Sequence, residues 1–139
     1  MIAELMADHR EVEEIFARIQ SMTGQGQELR DVVDEVTIEL VRHSVAEEQY
    51  LYPAVREHVE DGDRIADKEI ADHSRVENLL KELEKTNADD PHMSPLLQQL
   101  MEEVADHVED EENNLFPLLR QACSSEMDAW AVRPDSLST

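Results

Sequence analysis

Two stretches of this chain occur twice. The segment ADHREVEEIF at 7–16 returns as ADHSRVENLL at 71–80, and HSVAEEQYLYPAVR at 43–56 returns, at the same offset, as HVEDEENNLFPLLR at 107–120. Half of the positions in the first pair are identical, and the second pair keeps His, Glu-Glu, Leu, an aromatic residue, Pro and Arg. A constant offset across two separated segments means that a whole structural unit has been duplicated. The fold must therefore hold two copies of one unit in equivalent surroundings, related by approximate two-fold symmetry.

The unit is a helical hairpin. Ile2, Leu5, Val12, Phe16 and Ile19 follow the three/four alternation of a helix that buries one stripe, with His9 in the missing slot. The second segment continues with Val33, Val36, Leu40, then His43, Glu47 and Tyr50, before Pro53 removes a backbone donor and is expected to bend or end the helix. The third stripe runs Ile70, His73, Val76, Leu80, Leu83, and the fourth Leu97, Leu100, Val104, His107, Glu111, Leu115, Leu118. Breaks at 23–26, 61–63 and 88–91 are short enough to join antiparallel neighbours. The expected fold is all-α, an up-down-up-down antiparallel four-helix bundle over 1–124. Residues 125–139 carry no stripe and read as a tail, disordered or packed through Trp130.

Composition narrows the functions. Acidic residues number 34 against 12 basic, a formal charge of -22, which repels nucleic acid and anionic membranes. No apolar run is long enough to span a bilayer, and the N-terminus lacks a basic region followed by an apolar one, so a soluble cytoplasmic protein is expected. The single cysteine, Cys123, permits no internal disulfide.

What remains is the polar intrusion into each stripe. Residues four apart share a helix face, so His43 with Glu47, and His107 with Glu111, each turn an imidazole and a carboxylate inward. His9 and His73 are equivalent by the repeat and join them at one level. Six polar groups in a core are costly unless something satisfies them, and metal coordination does. Imidazoles with carboxylates able to bridge suit a dinuclear iron site better than a tetrahedral, cysteine-rich zinc site, with manganese as the nearest competitor. With a bridging oxo or hydroxo group added, the set leaves one open position on each of two octahedral metals.

The pattern His, His-x-x-x-Glu, His, His-x-x-x-Glu, with Leu-aromatic-Pro after each pair, resembles the hemerythrin-like (HHE cation-binding) family over residues 1 to about 120. The resemblance implies that His9, His43, His73 and His107 are terminal iron ligands and that Glu47 and Glu111 bridge two irons. Members of that family carry or sense oxygen, handle peroxide or nitric oxide, or sense iron. Oxygen carriers have a fifth histidine one turn after the third-helix ligand, where Glu77 stands here, and a more widely spaced aspartate on the fourth helix. The arrangement is closer to the mycobacterial hemerythrin-like proteins, which implies peroxide decomposition. The alternative is a non-catalytic module that binds or senses oxygen or iron. A structural metal that only locks the bundle is the blandest reading.

Other residues near the six have a role only by position. Tyr50 falls almost on the face of His43 and is read either as a partner or ligand of the centre or as an ordinary core tyrosine. Glu13 and Glu77 follow His9 and His73 by one turn and are read as imidazole partners or, preferably, as solvent-side salt-bridging residues. Glu48 and Glu112 point about 100° away from the bridging glutamates, and His58 and His92 leave the stripe, so all four are expected at the surface.

Overall fold

The computed structural model describes residues 1–22 and 26–122. The expected tail at 125–139, with Trp130, and Cys123 lie outside the described residues. Helices α1 (Ile2–Ser21), α2 (Gln27–Ala46), α3 (Tyr52–His58), α4 (Gly62–Lys85), α5 (Met93–Asp110) and α6 (Phe116–Ala122) follow one another, and no strand occurs among the described residues. Five-residue π-helical turns, Glu47–Leu51 and Glu111–Leu115, join α2 to α3 and α5 to α6 without a break. Four continuous rods result, and the bundle expected from the stripes is present. α1 packs on α2, α4 on α5, and α3 on α4. Among the described residues, no helix is long and apolar enough to cross a membrane.

The π turns correct the expectation that Pro53 ends its helix. A proline has no N–H, so the carbonyl four residues before it, at Gln49 or Asn113, loses its α-helical partner. The chain widens instead of stopping: the Tyr52 N–H donates to the Glu47 carbonyl and the Phe116 N–H to the Glu111 carbonyl, each five residues back. One residue is thereby added to the turn, and everything after it rotates by one position. Tyr50 and Leu118, which an unbroken α-helix would bury, are 39% and 44% exposed, while Leu51, Tyr52, Val55, Leu115, Phe116 and Leu119 are buried.

A second correction concerns α4. Its buried face runs Ala66, Glu69, Asp72, His73, Val76, Leu80, Leu83, so Glu69 is fully buried where Ile70 was expected and Ile70 is half-buried. The turn into this helix is tight: Asp61 takes a left-handed conformation at φ 64°, and a Cβ on Gly62 would lie 2.1 Å from the Val55 carbonyl oxygen.

Apolar burial falls into two blocks. One gathers Val12, Phe16, Val33, Val36, Leu40, Val76, Leu80, Leu97, Leu100 and Val104. The other gathers Ile2, Leu5, Leu51, Tyr52, Val55, Ala66, Leu115, Phe116 and Leu119. In every rod the histidines and glutamates come between residues of the two blocks, so the polar layer lies in the bundle interior, flanked by hydrocarbon.

Candidate metal centre

All six candidate residues meet. His9 Nε2 lies 3.1 Å from His43 Nε2 and 3.1 Å from Glu111 Oε1, while His43 Nε2 lies 3.1 Å from Glu47 Oε2. On the other side His73 Nε2 is 2.9 Å from Glu47 Oε1, and His107 Nε2 is 3.2 Å from Glu111 Oε2. Each glutamate therefore turns one oxygen to the His9/His43 pair and the other to the His73/His107 pair. Two groups of potential ligands follow, His9, His43, Glu47, Glu111 and Glu47, His73, His107, Glu111, with the two carboxylates common to both.

The outward nitrogens are held by carboxylates. Nδ1–H of His9 donates to Glu112 at 2.7 Å, that of His73 to Glu48 at 3.1 Å, and that of His43 to Asp8 at 3.1 Å. Asp72, the counterpart of Asp8, stands 3.5 Å from His107 Nδ1. Such contacts fix the tautomer, leaving Nε2 free toward the centre, and raise the basicity of the imidazole. The pairing crosses the repeat: Glu112 from the second hairpin steadies His9 of the first, and Glu48 of the first steadies His73 of the second. Glu48 and Glu112, expected at the surface, thus reach ring nitrogens. Their position one residue after the inward glutamates swings them to the flanking rod. The signal was present, since both glutamates of each Glu-Glu pair recur in the repeat.

Tyr52, not Tyr50, is the tyrosine of the centre. Its hydroxyl lies 3.2 Å from Glu47 Oε1, 3.3 Å from Glu111 Oε2 and 2.9 Å from His73 Nε2. Its counterpart Phe116 stacks on the His9 ring at 6.0 Å between centroids. Glu77 is exposed, and Glu13 is exposed and pairs with Arg10, as preferred above. His92 bonds Asp90 at the surface, and His58 lies outside the cluster.

Comparison with known proteins agrees with this geometry. The hemerythrin HHE cation binding domain matches residues 1–119. The chain belongs to the hemerythrin HHE family. It is 32% identical over 127 residues to a protein of Nostoc sp. named DNA nickase, covering 90% of this chain and 35% of that one. It is also 29% identical over 123 residues to an uncharacterized hemerythrin-like protein of Schizosaccharomyces pombe, covering 88% of this chain and 60% of that one. The chain thus spans a third to three-fifths of the curated relatives it matches. No solved structure matches.

The electrostatics of this hemerythrin-family site suit a cation. Burial disfavours the charged form of His43, but the bond to Asp8 and the adjacent Glu47 and Glu111 carboxylates outweigh it and hold the ring up to about 10. His107 is likewise buried, yet Glu111 and Glu47 hold it up to about 11. Burial opposes ionisation of Glu47 too, and its contacts with His107, His43 and His73 keep its carboxyl well below the usual range. Burial, reinforced by Glu47 and Glu111, pushes the Tyr52 phenol up. Glu47 Oε2, Glu111 Oε1 and His107 Nε2 are buried and make no hydrogen bond among the described residues. Orphaned acceptors aimed at one another are costly in a protein interior, and metal ions between them would satisfy all three. The residues present therefore fit the cation the family implies.

A cavity of about 30 Å³ adjoins the layer, lined by all four histidines and, apart from Ser44, by aliphatic side chains such as Val12, Leu40, Val76 and Val104. One water needs roughly 10–15 Å³ on this measure, so the space suits a molecule of two or three heavy atoms.

Proposed function

We propose that the chain binds two iron ions, His9 and His43 on one, His73 and His107 on the other, with Glu47, Glu111 and an oxo or hydroxo group bridging them, and that this centre decomposes hydrogen peroxide. The observation that carries the reading is the double-facing arrangement of Glu47 and Glu111, each with one oxygen toward each histidine pair. Two irons held by these residues would supply a two-electron reservoir for the overall conversion of two hydrogen peroxides to two waters and one dioxygen. The protein's part is to hold the imidazoles through Glu112, Asp8 and Glu48, to place the Tyr52 hydroxyl against both bridging carboxylates, and to restrict access to very small molecules.

Iron content per chain is the first check. About two irons in the wild type, with clear loss in a Glu47→Ala/Glu111→Ala variant, are expected. Loaded protein should then release more oxygen from hydrogen peroxide than the same concentration of free iron, and His107→Ala should not. Equal rates from free iron, or a fully active His107→Ala, would rule the enzyme out. The small aliphatic cavity also accommodates dioxygen or nitric oxide, so a reversible oxygen-binding or sensing module is the second reading, favoured by repeated oxygenation without irreversible oxidation. With its charge of -22 the chain is inferred not to bind nucleic acid by itself, despite the name of the Nostoc relative. A DNA mobility shift at low salt would contradict this.

A further inference from the structure

The two copies of the hairpin carry different charges on the outer side of His43 and His107. In the first copy the residues there are Glu4, Leu5, Asp8 and Ala46; in the second the same positions hold Lys68, Glu69, Asp72 and Asp110. Two carboxylates without a counterpart, Glu69 and Asp110, have been gathered beside one histidine only. Glu69 is fully buried, and its Oε1 makes no hydrogen bond among the described residues. It points to His107 Nδ1 at 3.9 Å, with Asp72 Oδ2 at 3.5 Å from the same nitrogen. One atom from each of Glu69, Asp72 and His107 lies within 4.8 Å of the others.

A cation already sits at the mouth. The Lys68 ammonium is 3.4 Å from Glu69 Oε2, 3.1 Å from Asp72 Oδ2 and 3.6 Å from Asp110 Oδ2, on a side chain 55% exposed, while Arg75 takes the other oxygen of Asp72. Asp110 continues into an acidic surface cleft with Asp106 and Glu109. The His107 ring is held less closely on its outer side than the other three. His9, His43 and His73 each have Nδ1 bonded within 3.1 Å, whereas among the described residues Nδ1 of His107 makes no hydrogen bond and its nearest carboxylate oxygen, on Asp72, is 3.5 Å away.

We propose that Glu69, Asp72 and Nδ1 of His107 form a further divalent-cation site, distinct from the dinuclear centre, at which metal ions are taken up before they reach it, with Lys68 as a displaceable cover. Two carboxylates and an imidazole are a donor set for a first-row divalent ion. An ammonium ringed by three carboxylates marks where positive charge is stable, and a divalent ion outcompetes it for the buried oxygens. One ring separates this site from the centre, Nδ1 facing outward and Nε2 inward. The first copy also has a cleft at these positions, of about 170 Å³ and lined by Glu4, Leu5, Asp8 and Ala46, but Leu5 and Ala46 give it neither of the two further carboxylates.

The inference rests on the dinuclear reading only for the ion's destination. The test is stopped-flow uptake of Co(II) by metal-free full-length protein. Glu69→Leu, which installs the residue of the other copy, and Glu69→Gln should each slow loading at least about tenfold, the scale of electrostatic steering, while the amount finally held at the centre stays the same. Lys68→Met should speed loading. In a Glu47→Ala/Glu111→Ala background, checked for helicity by circular dichroism, one weakly held Co(II) should persist and disappear on adding Glu69→Leu. Wild-type loading rates in both Glu69 variants would overturn the entry site, as would a folded double variant that binds no Co(II). If instead the wild type holds only a single Glu69-dependent ion, the dinuclear reading fails and this site stands.

Discussion

Glu112 and Glu48 do the same task in the two halves, yet they are not equally placed. Glu112 is one-sixth exposed and also accepts a 2.7 Å bond from Arg10, whereas Glu48 is half exposed, and Ser74 occupies the position equivalent to Arg10. Removing a carboxylate that orients a metal-bound histidine weakens metal binding by roughly 10–100-fold. Glu112→Ala should therefore fall toward the upper end and Glu48→Ala toward the lower, measured by calorimetric titration of the metal-free protein. Wild-type affinity in Glu112→Ala would mean that His9 needs no partner. Tyr52→Phe tests a different kind of contact, a buried hydroxyl among carboxylates. Phe116 already fills the equivalent position, so the variant should fold, with stability changed by about 1 kcal/mol, the net worth of a typical hydrogen bond. Tyr50→Ala, at an exposed position, should leave metal content as it is.

At the level of elements, the sequence disclosed the four rods, their order and the six inward residues, because a helical stripe and a repeat at constant offset are read directly from spacing. It failed where the spacing itself changes. Tyr50 and Leu118 were placed inward by counting in α-helical turns, and the π turns after Glu47 and Glu111 move the buried face on by one residue. Pro53 and Pro117 stood in the sequence as the cause, but a missing N–H predicts a defect, not whether the chain bends, stops or widens. Glu69 was missed for another reason: on α4 it competes with the apolar Ile70 for the stripe, and a lone carboxylate at a core position is not readable without its surroundings. The shifted register is open to test. Leu119→Ala should cost about 2–5 kcal/mol, as a truncated buried leucine does, and Leu118→Ala less than about 0.5 kcal/mol, as at ordinary surface sites. Urea unfolding of the two variants decides it, and the reverse order would restore an unbroken α-helix.

For the molecule as a whole, the centre couples metal, protons and stability. Without metal, His43 and His107 are held up to about 10 and about 11 against roughly 6.5 for an unfolded histidine. Their contribution to stability is complete below pH about 6.5 and is lost as pH rises toward those values. Glu47, held low, contributes above its unfolded value of about 4.3 and loses that contribution as acid protonates it. The metal-free bundle should accordingly be most stable between pH about 4.5 and 6.5. Metal binding takes the same nitrogens in their neutral form, so each ion must displace protons, and its affinity should rise with pH across the range in which the metal-free protein weakens. The two trends oppose each other, which makes their difference diagnostic. The rise in Tm on loading should be larger at pH 8.5 than at pH 6, and loading near neutral pH should release protons detectable with an indicator dye. A stabilisation that is the same at both pH values, with no protons released, would mean that the metal does not bind through these histidines and that the buried imidazoles and carboxylates serve only one another.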